Sequence, residues 1–416
     1  MMNKTRLIQM MMTCWLLAVA GLMRAQTVVS GVVKDRQTGG ALSHVSVTAE
    51  GTNVHTVTNE DGRFTLKTTH RPQYILLTHI GYQSRRQQLD EGPTDHLKIL
   101  MTASTIQLDE VFVTVDDPLD IVLAAMSRIE RNYSHESELV RCFYRETARK
   151  GSRFISVAEA VTEMYKTSYS YGPQSDAMVI RKGRRLMSMK SADTLGVKVQ
   201  GGPVMPLIAD VAKNPDYMLN MDDLKCCDLF LEIPEMIDNR PHYVVRVEPR
   251  PITLWPLMGG KLFIDRQSLT ITRAELQLDV RDWRKASNYM LVKKPAGLHF
   301  RPKALTMTIL YQTDLQGVTR MSYIRNEMRF TCDWKRRVFA SPFTTVTEMV
   351  VTSPLAQGRQ VKRPQGRSSF GIRERFYDKV EYFEDPDFWA DYNIIEPTES
   401  LEHAIDKLKK KVISVK

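Results

Sequence analysis

The feature that most constrains this chain is its punctuation. Short apolar runs, many of them alternating, are cut at close intervals by Gly, Asn and Asp turn signals. This pattern selects strands, because successive strand side chains point to opposite faces while a helix needs a 3.6-residue period. Val28 to Lys34 reads as a strand. The turn Asp35-Arg36-Gln37-Thr38-Gly39-Gly40 follows, where glycine takes positive φ at no steric cost. Val45 and Val47 alternate with Ser46 and Thr48, and Asn59-Glu60-Asp61-Gly62 makes the next turn, so Phe64 and Leu66 are expected to point inward. Tyr74 to Leu77 is a continuous apolar run, Gly81-Tyr82 breaks it, and Leu97 to Met101 closes the set. About seven short strands in residues 26–104 predict a two-sheet sandwich.

Three blocks of this segment, GVVKDRQTGGALSHVSVTAEGT (Gly31 to Thr52), TNEDGRFTL (Thr58 to Leu66) and HIGYQS (His79 to Ser84), resemble the carboxypeptidase regulatory-like domain. The resemblance implies a transthyretin-like β-sandwich that braces or presents a neighbouring domain and carries no chemistry. The same family extends the N-terminus of TonB-dependent outer-membrane receptors. IQLDEVFVT (Ile106 to Thr114) is similar to the stretch that links such extensions to a receptor plug.

After a linker at residues 105–117, residues 118–416 form the second region. Asp116-Asp117-Pro118 is a helix start: an aspartate caps, and proline at the first position loses no needed donor. Leu119, Val122, Met126 and Ile129 share a helical face, so this helix is expected to pack on the domain that follows. From Val140 onward the pattern is strands. Hairpins are expected across Asp265-Arg266-Gln267-Ser268, Lys293-Lys294-Pro295-Ala296-Gly297 and Thr313-Asp314-Leu315-Gln316-Gly317; the second joins Tyr289 to Val292 with Leu298 to Phe300. Tyr243 to Val247 follows the turn Ile237 to Pro241. Such a meander either curls into a barrel or half-barrel or needs a covering helix. Candidate covers are Pro203 to Ala212 and a last helix in which Ser400 caps and Leu401, Ala404, Ile405 and Leu408 share a face.

GKLFIDRQSLTITRAELQLD (Gly260 to Asp279) followed by GLHFRPKALTMTI (Gly297 to Ile309) is similar to the hairpin repeat of lipoprotein carriers of the LolA and LolB type. That resemblance, over residues 215–330, implies a half-barrel whose hollow holds acyl chains. The two-part layout ending in FWADYNIIEP (Phe388 to Pro397) also resembles carboxypeptidase-like regulatory-domain proteins of Gram-negative envelopes. The expected fold is therefore mainly β: an N-terminal seven-stranded transthyretin-like sandwich, then a larger antiparallel half-barrel-like domain with a few helices.

Residues 1–25 read as a cleavable signal peptide. Lys4 and Arg6 charge its start, Ile8 to Leu22 is an apolar core too short for a typical membrane span, and Met23-Arg24-Ala25 precedes Gln26, placing the cut between Ala25 and Gln26. Cys14 lies inside that core and does not follow a small-residue lipobox. Export to the periplasm or outer membrane follows, and no later stretch is apolar for long enough to span a bilayer as a helix. Removing Lys4, Arg6 and Arg24 lowers the formal charge from +10 to +7. That surface tolerates anionic lipid or polysaccharide and allows peripheral membrane association, but gives no reason to expect nucleic acid. The clusters at Arg181 to Arg185, Lys335 to Arg337 and Lys407 to Lys411 read as solvated faces. Cys142, Cys226, Cys227 and Cys332 allow three disulfide connectivities or buried free thiols, and both remain open.

The chain holds no Gly-x-Ser-x-Gly elbow, His-Glu-x-x-His, phosphate loop or dinucleotide fingerprint. Gly201-Gly202-Pro203 lacks the Lys-Ser/Thr that a phosphate loop requires. His135-Glu136-Ser137-Glu138 with the distant His242 has the outline of a zinc set, but nine histidines produce a His-x-x-Glu by accident about half the time. Asp222-Asp223 and Asp385-Pro386-Asp387 read as turn carboxylates. A catalytic Cys142 needs a nearby histidine that sequence does not place. No catalytic residue, cofactor or metal is assigned. The expected function is a non-enzymatic exported envelope protein that binds a lipid, another ligand or an outer-membrane partner. The alternatives are a TonB-dependent-receptor-associated uptake module, from Leu108-Asp109-Glu110-Val111, and a hydrolase assembled from distant residues.

Overall fold

The computed structural model describes residues 26–104, 117–188, 197–199, 202–251, 253–334, 340–358, 361–364, 370, 376, 380, 389 and 392–413. The leader with Cys14 and Ala25, the stretch Ile106 to Thr114, Asp116, Gly201, Lys335 to Arg337 and Asp385 to Asp387 lie outside these residues. Gln26 is the first described residue and is exposed.

The first region is the seven-stranded sandwich: β1 (Thr27–Asp35), β2 (Ser46–Ala49), β3 (His55–Val57), β4 (Arg63–Thr68), β5 (Tyr74–Thr78), β6 (Arg85–Gln88) and β7 (Leu97–Met101). One sheet has the order β4-β1-β7, with β7 parallel to β1; the other has the order β3-β2-β5-β6. Val29, Val33, Phe64, Leu66 and Ile99 from the first sheet meet Val45, Val47, Ile75 and Leu77 near the second in a shared aliphatic core. Local chemistry sets the turns. The Asn59 carbonyl oxygen of the side chain accepts from the backbone N–H groups of Asp61 and Arg63, both at 2.9 Å. Gly62 sits at φ 74°, where a Cβ would lie 2.5 Å from the Val33 carbonyl oxygen, so only glycine fits. Strand β5 departs from the buried-run reading: Ile75 and Leu77 are buried but Leu76 is only half-buried, because the core covers one face of its sheet.

The chain continues through α1 (Pro118–Ser127), α2 (Ile129–Asn132), β8 (Glu138–Lys150), β9 (Arg153–Lys166), β10 (Ala177–Met187), β11 (Lys198–Val199), α3 (Met205–Ile208) and α4 (Met221–Leu224). Strands β12 (Cys227–Ile237), β13 (Arg240–Pro249), β14 (Met258–Asp265) and β15 (Ile271–Leu278) follow, then α5 (Trp283–Met290) and β16 (Leu291–Lys293). Strands β17 (Leu298–Thr313), β18 (Thr319–Trp334) and β19 (Ser341–Gln357) and helix α6 (Glu399–Ile413) complete it. Ten strands form one sheet in the order β10-β9-β8-β19-β18-β17-β15-β14-β13-β12, with every neighbouring pair antiparallel. The sheet is open, with β10 and β12 at its ends, and does not close into a barrel. Pro234, Pro302 and Pro354 each sit at a register break, where a missing N–H costs no ladder bond.

Helix α1 begins as its sequence dictates. The Asp117 carboxylate accepts from Leu119 N–H at 2.8 Å, and Pro118 occupies the first turn. Its buried face is rotated from the expected stripe: Ile121, Val122 and Ala125 are buried, while Leu119 and Met126 are only part-buried at its margin.

Two other expectations fail. Residues 289 and 290 belong to α5, not to a hairpin strand, because Asp282 caps that helix through Arg284 and Lys285 and Ala286 and Met290 are buried at helical spacing. Strand β16 then pairs with β11, not with β17. At the last helix Thr398, not Ser400, supplies the cap, its hydroxyl accepting from Leu401 N–H at 3.2 Å. The buried face through Leu401, Ile405 and Leu408 is as expected and packs on Val157 and Leu186 of β9 and β10.

The two faces of the large sheet have different covers. One carries Cys142, Tyr144, Met164, Leu262, Ile264, Met307 and Ile309 under α1, the 205–219 segment and α5. On the other, Phe143, Val161, Tyr323 and Val350 pack against Val57 of the sandwich and against Trp389 and Ile395. Residues 392–399 thus run as a strap between sandwich and sheet. The Asn393 side chain closes the free edge of β4, accepting from Lys67 N–H at 2.6 Å and donating to Lys67 C=O at 2.9 Å. Asn59 Nδ2 donates to Glu396 C=O at 3.2 Å and Pro397 C=O at 3.0 Å, and Arg145 Nη2 donates from the sheet to Ile395 C=O at 2.7 Å.

Candidate functional site

Where the sandwich meets one end of the large sheet, a pocket encloses about 580 Å³ of atom-free space, part of it continuous with solvent. Four elements build it. The sandwich contributes Asn53 and His55, at the start of β3. The β17–β18 hairpin contributes Gln312, Asp314, Arg320, Met321 and Ser322, β8 contributes Glu138 and Val140, and β19 contributes Val351, Pro354, Ala356 and Gln357.

Local sequence shapes each wall. The Asp314 carboxylate accepts from Gln316 and Val318 N–H groups, both at 2.9 Å, and Gly317 at φ 82° completes the hairpin turn. Register breaks between Val351 and Ser353 and between Pro354 and Ala356 kink β19 against β8, bending the strand at this wall. Gln312 Nε2 donates to Thr48 Oγ1 at 2.9 Å and fixes the sandwich to the hairpin.

The polar groups divide into satisfied and unsatisfied sets. Arg320 bonds Glu138 Oε1 through Nε and Asp314 Oδ2 through Nη1, both at 2.5 Å, and Ser134 Oγ donates to the same Glu138 oxygen at 2.7 Å. Burial works against the arginine's charge, but the two carboxylates outweigh it and hold its pKa above the ordinary value. His55 is the opposite case. It is 7% exposed, and its ring nitrogens reach only the Asn53 and Ser322 backbones, in contacts that fall short of full hydrogen-bond geometry. Burial lowers its pKa to about 4, against a weaker opposing pull from the Asn53 and Ser322 backbones, so at neutral pH it is an uncharged imidazole with one donor and one acceptor to offer.

Two buried ionic networks lie elsewhere. Under the strap, Arg145 Nε and Arg184 Nε bond the two oxygens of Glu159, at 2.7 and 2.5 Å, and the Arg184 guanidinium lies over the Trp389 ring. Among the covers of the opposite face, Lys166 pairs with Asp210 and donates to Tyr169 Oη at 2.9 Å. Tyr169 and Tyr311 donate to the two Asp210 oxygens at 3.0 and 2.9 Å. Lys213 pairs with Asp176 at 3.0 Å; burial and then the Lys166 charge push it down to about 8. Burial opposes the charge of Lys166, but Asp210 outweighs it and raises its pKa. Each of these groups is bonded to another, with only Asp176 Oδ2 left without a partner, so the arrangement is a largely self-satisfied polar core.

The residues singled out in the sequence do not converge. Glu138 is bonded to Arg320 and Ser134, while His242 lies fully buried on β13 with Nδ1 2.9 Å from Arg240 C=O. Among the described residues no three His, Cys, Asp or Glu side chains come together as a metal site. All four described cysteines are free. Burial pushes the Cys142 thiol far up, Cys227 to about 11 and Cys332 to about 12, away from the thiolate a nucleophile needs. Asp222 pairs with Lys225 at 3.0 Å and Asp223 accepts from the Trp255 indole at 3.1 Å. The solvated reading of Arg181 to Arg185 fails at Arg184, which is drawn inward by Glu159. Sequence reasoning missed His55 and Arg320, since a lone histidine opening a three-residue strand and an arginine near a turn carry no motif.

Comparison with known proteins places part of the chain. Residues 29–113 match the profile of the family described as the CarboxypepD_reg-like domain, so the sandwich is a carboxypeptidase regulatory-like domain; the match covers about a fifth of the chain. Among solved structures, a DUF1329 family protein from Desulfovibrio piger is 13% identical over 57% of this chain and 93% of its own, with a TM-score of 0.22. A LolA superfamily protein from Nitrosomonas europaea is 11% identical over 59% of this chain and 96% of its own, with a TM-score of 0.21. A putative membrane-associated protein of unknown function from Bacteroides fragilis is 8% identical over 80% of this chain and 99% of its own, with a TM-score of 0.16. Likenesses at this level assign neither ligand nor activity. No curated protein matches the chain.

Proposed function

We propose that this is an exported, non-enzymatic envelope protein. Its sandwich is held as a fixed brace on the large sheet, and the pocket at their junction takes a small, largely apolar ligand with one hydrogen-bonding group. The observation that carries this reading is His55. A poorly satisfied polar group in a buried site costs up to about 1–3 kcal/mol, and a ligand that bonds the imidazole with good geometry recovers part of that cost. The walls, Val140, Met321, Val351, Pro354 and Ala356, favour an apolar body. The pocket's ionic groups are already bonded to one another, which disfavours a ligand that needs a free charge.

The geometry favours this pocket over the hollow expected above residues 215–330, since that face is occupied by the chain's own side chains from α1, the 205–219 segment and α5. For a hydrolase, the best assembly of titratable groups is Lys166, Asp210, Tyr169 and Tyr311, and these are bonded to one another. The receptor-associated reading rests on Leu108 to Val111, outside the described residues.

The test is native mass spectrometry of the full chain purified from envelopes, beside His55→Phe and Met321→Trp variants. A bound molecule of ligand size should accompany the wild-type chain and be lost from both variants while their melting temperatures hold. An empty wild-type chain whose pocket holds only water in a crystal would sink the proposal. Export is tested on the same sample, whose N-terminus should begin at Gln26; an intact leader on the folded protein refutes it.

A further inference from the structure

The end of the large sheet built from α4, residues 253–257 and α5 presents exposed apolar side chains. Leu254 is 84% exposed and Trp255 52%, and Met221, Trp283 and Val292 are also exposed. These residues form one contiguous tip. The Trp255 indole donates to Asp223 beside Met221, Lys285 Nζ of α5 donates to Thr253 C=O at 2.5 Å, and Arg281 Nη2 donates to Pro249 C=O at 2.5 Å. Val292 stands just beyond α5, a helix about 12 Å long. Large exposed apolar side chains scattered singly are ordinary, but a cluster that includes two tryptophans marks a contact surface.

The charges around this tip are uneven. Its acids are engaged: Asp222 with Lys225 at 3.0 Å, Asp279 with Arg281 at 2.8 Å, and Asp282 as the cap of α5. Among the described residues Arg284, Lys293, Lys294 and Arg301 have no carboxylate partner. The Arg284 and Arg301 guanidinium groups lie 5.4 and 5.5 Å from the centre of the Trp283 ring. Tryptophan and leucine beside long cationic side chains is the chemistry of a membrane interface. The rings enter the headgroup layer, the aliphatic stems of Lys and Arg cover apolar surface, and the charged heads meet lipid phosphates.

We propose that this tip docks the protein peripherally on an anionic lipid surface, with Leu254, Trp255 and Trp283 entering the interface and Arg284, Lys293, Lys294 and Arg301 facing phosphate. Neither the junction pocket nor its ligand enters into this docking.

The experiment is co-sedimentation of the full chain with vesicles of phosphatidylglycerol and phosphatidylcholine in equal parts, against phosphatidylcholine alone. Tryptophan emission provides a second readout. Binding should be at least about tenfold tighter to the anionic vesicles and should weaken steeply between about 0.1 M and 1 M salt. Trp255 emission should shift to the blue. Leu254→Ser/Trp255→Ser, both exposed positions, should reduce binding by about tenfold or more at an unchanged melting temperature. Lys293→Glu/Lys294→Glu should remove the preference for anionic lipid. Equal binding to both vesicles, or none, overturns the proposal. So does a dimer in analytical ultracentrifugation that Leu254→Ser/Trp255→Ser dissolves, since the tip would then be an interface between two copies.

Discussion

The sandwich and the large sheet solve the burial problem in different ways. The sandwich meets its two sheets over Val29, Val33, Val47, Phe64, Leu66, Ile75 and Leu77, and its buried carboxylate, Asp35, sits at a turn where it accepts from the Gln37 and Thr38 N–H groups and the Tyr82 hydroxyl. The large sheet buries Arg145, Glu159, Lys166, Asp210 and Lys213 beside its apolar side chains. An aliphatic core tolerates any close-packed arrangement of the right volume, so its specificity must come from turns. A buried ion pair tolerates only the partner that neutralises it, and so it binds together strands and covers that are distant in sequence. The difference assigns turn chemistry as the source of register in the small domain and polar satisfaction as a source in the large one.

The sharpest way to break this comparison is to remove one ion. Asp210→Ala leaves Lys166 charged and unpaired in the interior, and chemical denaturation should report a loss of about 3–5 kcal/mol. Lys166→Met/Asp210→Leu should recover most of it. A single substitution costing under about 1 kcal/mol would show that the network does not hold the covers in place. The matching test in the sandwich is Leu66→Ala, at a fully buried site, with an expected loss of about 3 kcal/mol. Hydrogen exchange should then quicken in β1 and β4 while β18 stays protected.

A smaller effect comes from pH and concerns the contact between the two regions. His55 is held at about 4 by burial, below an unfolded value near 6.5, so the unfolded chain takes up the proton first as pH falls. The stability contributed by the neutral ring is therefore complete above about pH 6.5 and is lost as pH falls toward about 4, a change on the order of 2 kcal/mol. His44 and His79, also lowered to about 4 chiefly by burial, add in the same direction. Denaturant midpoints across this range should show the slope, and His55→Gln should flatten it. A slope unchanged in that variant would assign it to other groups. The smallest expected effect is at the strap: Asn393→Ala removes both bonds to Lys67, and the melting curve should register about 1–2 kcal/mol.

Legibility in the sequence followed the range of the interactions. The turns at Asp35, Asn59 and Gly62 are local devices, and the sandwich they delimit has the strands their spacing predicts. The same holds for Asp265, whose carboxylate accepts from Gln267 and Ser268, and for Asp314, so the β14–β15 and β17–β18 hairpins were readable. At Tyr289 to Phe300 the alternation was misleading, because a capped helix buried Ala286 and Met290 more effectively than a third hairpin would have done. The pairing of β8 with β19 joins Phe143 to Val350, across more than two hundred residues, and no local signal encodes such a partner.

The chain alone determined that it would be built of strands, where the sandwich lies and where its tight turns fall, because those features follow from side-chain alternation and from what Asn, Asp and Gly do to their own backbone. Tertiary structure alone decided that His55, Arg320 and Glu138 share a pocket, and that Leu254 and Trp283 share a tip. Each pair is brought together by strands and loops whose neighbours are chosen through burial and charge compensation across the whole sheet, a choice that depends on every strand at once.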